Sequence, residues 1–230
     1  MRCSLMVQSS EYELAFDRPI FDLATRHLDV LRACYDRIAD VSGVRLADLQ
    51  SLGGASFADS VARIVFPDLS GSAEFRVDRL FSQFGLSASP EQRQRQELVA
   101  VRCEEALRAV FPDLVIGSSS ISIQTWLDCD GGRQDIRATL DRHHKPNFDI
   151  RTLGAESGTF SLRGQLENKT EGWQLVFTIE PSAFADHDLY AACSGTYGKG
   201  SRYTDWHEQG AHMTDMSDAI LNAYGFGKGA

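Results

Sequence analysis

A run of short segments in which apolar and polar residues alternate, in the second half of the chain, is the feature that most limits its fold. Phe160, Leu162 and Leu166 alternate with Ser161, Arg163 and Gln165, and Trp173, Leu175, Phe177 and Ile179 alternate mostly with Gln174, Thr178 and Glu180. A period of two sends one set of side chains into a core and the other towards water, which is the pattern of an antiparallel sheet with one covered face.

Helical signals flank these strands. Residues 19–41 carry Ile20, Leu23, Leu28, Leu31, Tyr35 and Ile38 at intervals near three or four, with Pro19 suited to a first turn and Gly43 as a stop. Ser89-Pro90-Glu91-Gln92 predicts a capped helix start, with the helix running to about Phe111. Residues 133–143 predict a short helix stopped before Pro146, and a last helix is expected between Thr204 and Tyr224, beyond which the glycine-rich tail cannot extend it. Strand candidates are Phe57–Phe66 and Ala73–Val77, joined by the turn residues Pro67 to Gly71. A further strand is expected within 114–127, followed by a meander at about 147–153, 158–166, 173–180 and 188–196.

Grouped strands argue against a doubly wound parallel sheet. The expected class is α+β, a curved antiparallel sheet packed against amphipathic helices. Each half offers a helix, a group of strands and a closing helix, so two similar α+β units are expected, residues 1–130 and 131–230. One continuous domain is the alternative. Phe57, Phe66, Phe75, Phe81 and Phe84 are expected as core.

Composition sets the outer bounds. With 43% hydrophobic and 24% charged residues, the 230-residue chain can bury a sizeable core. No stretch approaches the roughly 18 to 20 apolar residues of a membrane span, and nothing at the N-terminus reads as a secretory segment, so a soluble protein with no membrane partner is expected. Five widely spaced cysteines, an odd number, suggest free thiols and a cytoplasmic location. A formal net charge of −9 opposes nucleic-acid binding except through a local basic patch.

That patch is Arg133 to Arg151, whose candidate contacts for an anion or a partner are Arg137, Arg142, His143, His144 and Lys145. The plainer reading is a solvated helix end, where cations meet the negative pole of the helix dipole. A second cluster, Trp206-His207-Glu208-Gln209-Gly210-Ala211-His212, offers His207 and His212 as metal ligands. Their spacing of five places them about 140° apart on a helix, unlike the four-residue spacing that chelates zinc. Asp186-His187-Asp188 reads as a polar turn. Cys129 lies between two aspartates, which oppose thiolate formation, and no serine-hydrolase elbow or phosphate-binding loop is present.

The residues imply no cofactor. The expected function is a non-catalytic interaction module, an adaptor, inhibitor or assembly subunit, with another protein or a second copy as partner. The alternatives are a small-molecule or lipid-binding cavity beneath the sheet, and a metal- or histidine-dependent enzyme.

Overall fold

The computed structural model describes residues 1–53, 61–143, 161–184 and 187–228. Its elements are β1 (Arg2–Phe16), α1 (Leu23–Ser42), β2 (Leu49–Leu52), β3 (Val61–Phe66), β4 (Gly71–Phe75), β5 (Arg79–Ser87), α2 (Pro90–Val110), β6 (Ile116–Cys129), α3 (Gly132–His143), β7 (Leu162–Asn168), β8 (Trp173–Pro181), β9 (Leu189–Gly198), α4 (Trp206–Ala223) and β10 (Gly227–Lys228). Phe57, Phe160 and the expected strand at 147–153 lie outside the described residues.

The strands form one open, curled antiparallel sheet in the order β2-β3-β4-β5-β1-β6-β9-β8-β7. This is the expected α+β class. β1 and β6 lie antiparallel at its centre, with Glu11 opposite Ser122. On either side the chain repeats one plan, a strand, a helix, a meander and a closing helix, and the last meander strand returns beside the first strand: β5 on β1, and β9 on β6.

Register explains why one face is buried. Across the middle of the sheet Ile64, Ala73, Ser82, Tyr12, Ile121, Gly195 and Leu175 stand in one row. They point to the helical side with Phe66, Phe75, Leu80, Cys193 and Phe177, all in a single core cluster that includes Val99, Leu107, Ile136, Trp206 and Met213 from the helices. Burying such side chains contributes roughly 1.5–3 kcal/mol each before entropy is counted. The other face carries no helix among the described residues.

Local chemistry sets the helix ends. Ser89 Oγ accepts from Gln92 N at 3.4 Å at the start of α2, and Asp205 Oδ1 accepts from Glu208 N at 2.9 Å at the start of α4. Gly43 ends α1 with φ of 66°. α1 begins at Leu23, four residues later than the pattern predicts. The Ile20 amide instead bonds the Val77 carbonyl at 2.6 Å, which keeps Pro19 and Ile20 outside the helix. Leu28, placed on the apolar stripe by its spacing, is 65% exposed, because the helix is broken at Arg26 and its face rotates.

Four strands were not anticipated: β1, β2, β5 and the short β10. The tail also differs from expectation. Gly225 ends α4 at φ of 86°, Phe226 is fully buried, and Gly227 and Lys228 pair in parallel with Arg2 and Cys3. They occupy the side of β1 that β5 leaves open, since β5 reaches only Gln8. Nor are all the cysteines free. Cys3 and Cys129, opposed in register at one end of the central strand pair, form a disulfide, while Cys34, Cys103 and Cys193 are buried thiols. Widely separated sequence positions gave no sign of this pairing, because it depends on the β1–β6 register.

Candidate functional site

Helices cover one face of the sheet, so two kinds of surface are available: the open strand face, and clefts between helices. The open face is built by the alternate residues of the same strands. Its rows run Arg63, Glu74, Phe81, Glu13, Ser120, Thr196, Gln174 and Glu167, then Ser72, Gln83, Glu11, Ser122, Ser194 and Val176. Small hydroxyl side chains fill the middle, and Ser122 and Ser194 bond each other at 2.8 Å. Arg63 is held by Glu74 at 3.7 Å and Arg79 by Glu13 at 3.6 Å.

At one end of this face the side chains change character. Trp126 on β6 stands directly opposite Tyr190 on β9, ring centroids 5.2 Å apart, and Tyr190 stands opposite Glu180 on β8. Phe184, in the β8–β9 connection, leans on Trp126 at 5.8 Å. Trp126 is 8% exposed beneath it, while Phe184 is 55% exposed. The connection is tied down from several sides. Arg133, at the start of α3, donates to the carbonyls of Phe184 and His187, the Phe184 amide donates to Ser182 Oγ at 3.1 Å, and Asp188 Oδ2 accepts from Cys129 N at 3.1 Å. His187 Nδ1 lies 3.4 Å from Asp128. Burial, then Glu180 and Glu11, push the Tyr190 hydroxyl pKa up.

On the helical side a cleft of about 510 Å³ opens between α2 and α4, floored by β1 and β6. Glu97 on α2 and His207 on α4 close it at one point, Oε1 to Nδ1 3.1 Å. Glu97 raises the pKa of His207 through that hydrogen bond and its charge. Tyr12 on the floor is pushed up to about 12, chiefly by burial, with Glu97 adding to it. Arg93 lies in the same cleft, its pKa lowered by desolvation, and neither it nor Asp215 forms an ion pair among the described residues.

The two histidines read as metal candidates are carried by α4 into separate surroundings. His207 is exposed against Glu97, whereas His212 is half-buried, stacked on Tyr203 at 4.2 Å, and bonded through Nδ1 to the Tyr197 hydroxyl at 3.0 Å. Desolvation lowers the pKa of His212. No group of three or more His, Cys, Asp or Glu able to hold a metal occurs among the described residues.

Of the basic stretch, Arg137, Arg142 and His143 lie exposed on α3, while His144 and Lys145 lie outside the described residues. Arg142 Nη2 bonds Thr139 Oγ1 at 3.0 Å, and His143 meets the Tyr224 ring edge-on at 5.1 Å. Both line a cleft of about 670 Å³ that also holds Asp130 and Asp135. Its walls are therefore mixed in charge.

Sequence reasoning missed Trp126, Phe184, Tyr190 and Glu97. Trp126 had a legible signal: it sits at an outward position of the strand whose other outward positions are Ser118, Ser120, Ser122 and Gln124.

No family model matches the chain, and no curated protein matches it. Among solved structures, a rolling circle replication initiator protein from Geobacillus stearothermophilus aligns with 8% identity and a TM-score of 0.30, over 96% of this chain and 84% of that one. No helix among the described residues is long and apolar enough to cross a membrane.

Proposed function

We propose that this chain is a protein-interaction module that docks another protein on the open face of its sheet. The observation that carries this reading is the one-sided architecture. Helices cover one face, while the other presents small hydroxyl residues beside a half-exposed phenylalanine held in place by hydrogen bonds. Exposed aromatic surface bordered by polar residues is typical of interaction sites. The net charge of −9 disfavours a polyanionic partner.

The cytoplasmic location inferred from the cysteines loses support from the Cys3–Cys129 bond, which belongs with an oxidising compartment. Alkylation of thiols at the moment of lysis reads this directly: two protected cysteines mean the bond exists where the protein acts.

A photo-crosslinking residue tests the docking face. Placed at Ser120 on the open face, it should yield a discrete adduct heavier than the 25.5 kDa chain; placed at exposed Glu105 on α2, it should not. Adducts from Glu105 alone, or from neither position, would overturn the proposal.

The α2–α4 cleft supports a second reading, a small-ligand site. It falls within the usual size range of such pockets and mixes an apolar floor with charged walls. Native mass spectrometry of the purified chain showing only the apo mass would remove it.

A further inference from the structure

We propose that Phe184, Tyr190, Glu11 and Glu180 form a docking point for a cationic side chain, so that the partner of the open face presents a lysine- or arginine-rich segment. This rests on the docking reading above and adds the chemistry of the partner.

The geometry begins with rings. Trp126 and Tyr190 are a direct cross-strand pair, and Phe184 closes over Trp126, so one indole backs two more accessible rings. An aromatic face carries negative potential and attracts a cation lying over it. A half-exposed phenylalanine on a mobile loop could be incidental, but Phe184 is anchored by Arg133 from α3, through its own carbonyl and that of His187. Such anchoring limits the ordering entropy to be lost on binding.

The second observation is charge. Glu180 is the cross-strand neighbour of Tyr190, and Glu11 stands on the same open face, opposite Ser122 on the strand that carries Trp126. Elsewhere on this face the carboxylates Glu13 and Glu74 are neutralised by Arg79 and Arg63. Glu11 and Glu180 form no ion pair among the described residues. Two cations lie near this end among the described residues, Arg163 opposite Thr178 on β7 and Arg133 on the Phe184 and His187 carbonyls, against the four carboxylates Glu11, Glu180, Asp128 and Asp188, so negative charge stays in excess. Aromatic faces next to unpaired carboxylates suit an ammonium or guanidinium group. The same rings could stack nucleic-acid bases, but two free carboxylates beside them repel phosphate, which favours the basic peptide.

The test uses the full chain and three probes: a short oligolysine peptide, an oligoglutamate peptide of equal length, and an oligothymidylate. Calorimetry should show binding of oligolysine alone. Replacing Glu11 and Glu180 together by Gln should weaken it at least about fivefold, the scale of the two ion-pair contacts it removes. Removing equal charge from the helical side with E91Q and E105Q should leave binding unchanged. F184A should weaken binding, and F184L, which keeps the apolar bulk without the ring, should weaken it as well.

Equal loss in E91Q/E105Q would reduce the effect to net charge and overturn the proposal. So would wild-type binding by F184L, or binding of oligothymidylate as tight as that of oligolysine. Should oligolysine fail to bind while a crosslinker at Ser120 still captures a partner, the cationic specificity falls and the docking face stands. Failure of both removes the docking reading too.

Discussion

Glu97 on α2 and His207 on α4 meet at 3.1 Å across the seam between the two halves of the molecule. Each half supplies one helix and one floor strand to the cleft at that seam, and this pair is its polar clasp.

The clasp titrates with a definite sign. The pKa of His207 is raised above 6.5 by Glu97, so its contribution is fully present below pH 6.5 and is lost as pH rises through the folded-state value. The histidine is fully exposed and solvent screens the pair, so the stability change is small; the titration is the clearer readout. NMR of the imidazole nitrogens should place His207 above 6.5 in the native chain and bring it back towards 6.5 in E97Q. An unchanged titration in E97Q would break the assignment.

His212 runs the other way. Burial lowers its pKa, so folding favours the neutral ring, and stability present above pH 6.5 falls as pH drops through the folded-state value. The Tyr197 hydroxyl donates to the Gln209 carbonyl at 3.2 Å, and its oxygen meets His212 Nδ1 at 3.0 Å. Urea midpoints measured between about pH 7.5 and 5.5 should fall more steeply for the native chain than for H212N. Parallel pH profiles for the two would show that His212 does not contribute.

Reduction should destabilise the chain. The Cys3–Cys129 bond closes a loop of sequence separation 126, and constraining so long a loop in the unfolded state contributes about 2–5 kcal/mol. It also fastens the point where β10 pairs with β1 and where the Asp130 amide bonds the Arg2 carbonyl at 3.0 Å. Calorimetry with and without a phosphine reductant should show a lower Tm in the reduced sample, matched by C3S. Identical melting would mean that the pairing does not hold in solution.

What could be read from the sequence follows from how cleanly each strand alternates. Trp173 to Ile179 alternates with a single break, Val176, and appears as β8, with Leu175, Phe177 and Ile179 all buried. β1 escaped because its inward positions include Gln8 and Ser10, and a bulge between Leu5 and Val7 reverses the parity midway. β5 escaped because Phe81 faces outward while Ser82 is buried, an inversion that only tertiary packing explains. The candidate surface was less legible than the fold. Its aromatics come from three separated positions, 126, 184 and 190, which only strand register brings together. The histidines that stood out in the sequence lie on one helix in unrelated surroundings.

Two glycines on facing elements should respond oppositely to alanine. Gly210 lies inside α4, where glycine is destabilising by roughly 0.5–1 kcal/mol relative to alanine. A Cβ there would meet only Glu97 Oε1, at an ordinary 3.8 Å, so G210A should raise the urea midpoint by that amount. Gly195 on β9 faces α4, and its Cβ would collide with Met213 Sδ and crowd the Tyr197 ring at 3.3 Å. Met213 is fully buried and has little room to move, so G195A should cost about 1–3 kcal/mol through overpacking. A neutral G195A would mean that α4 can lift from the sheet. A destabilised G210A would mean that the cleft between α2 and α4 is narrower than the 510 Å³ described.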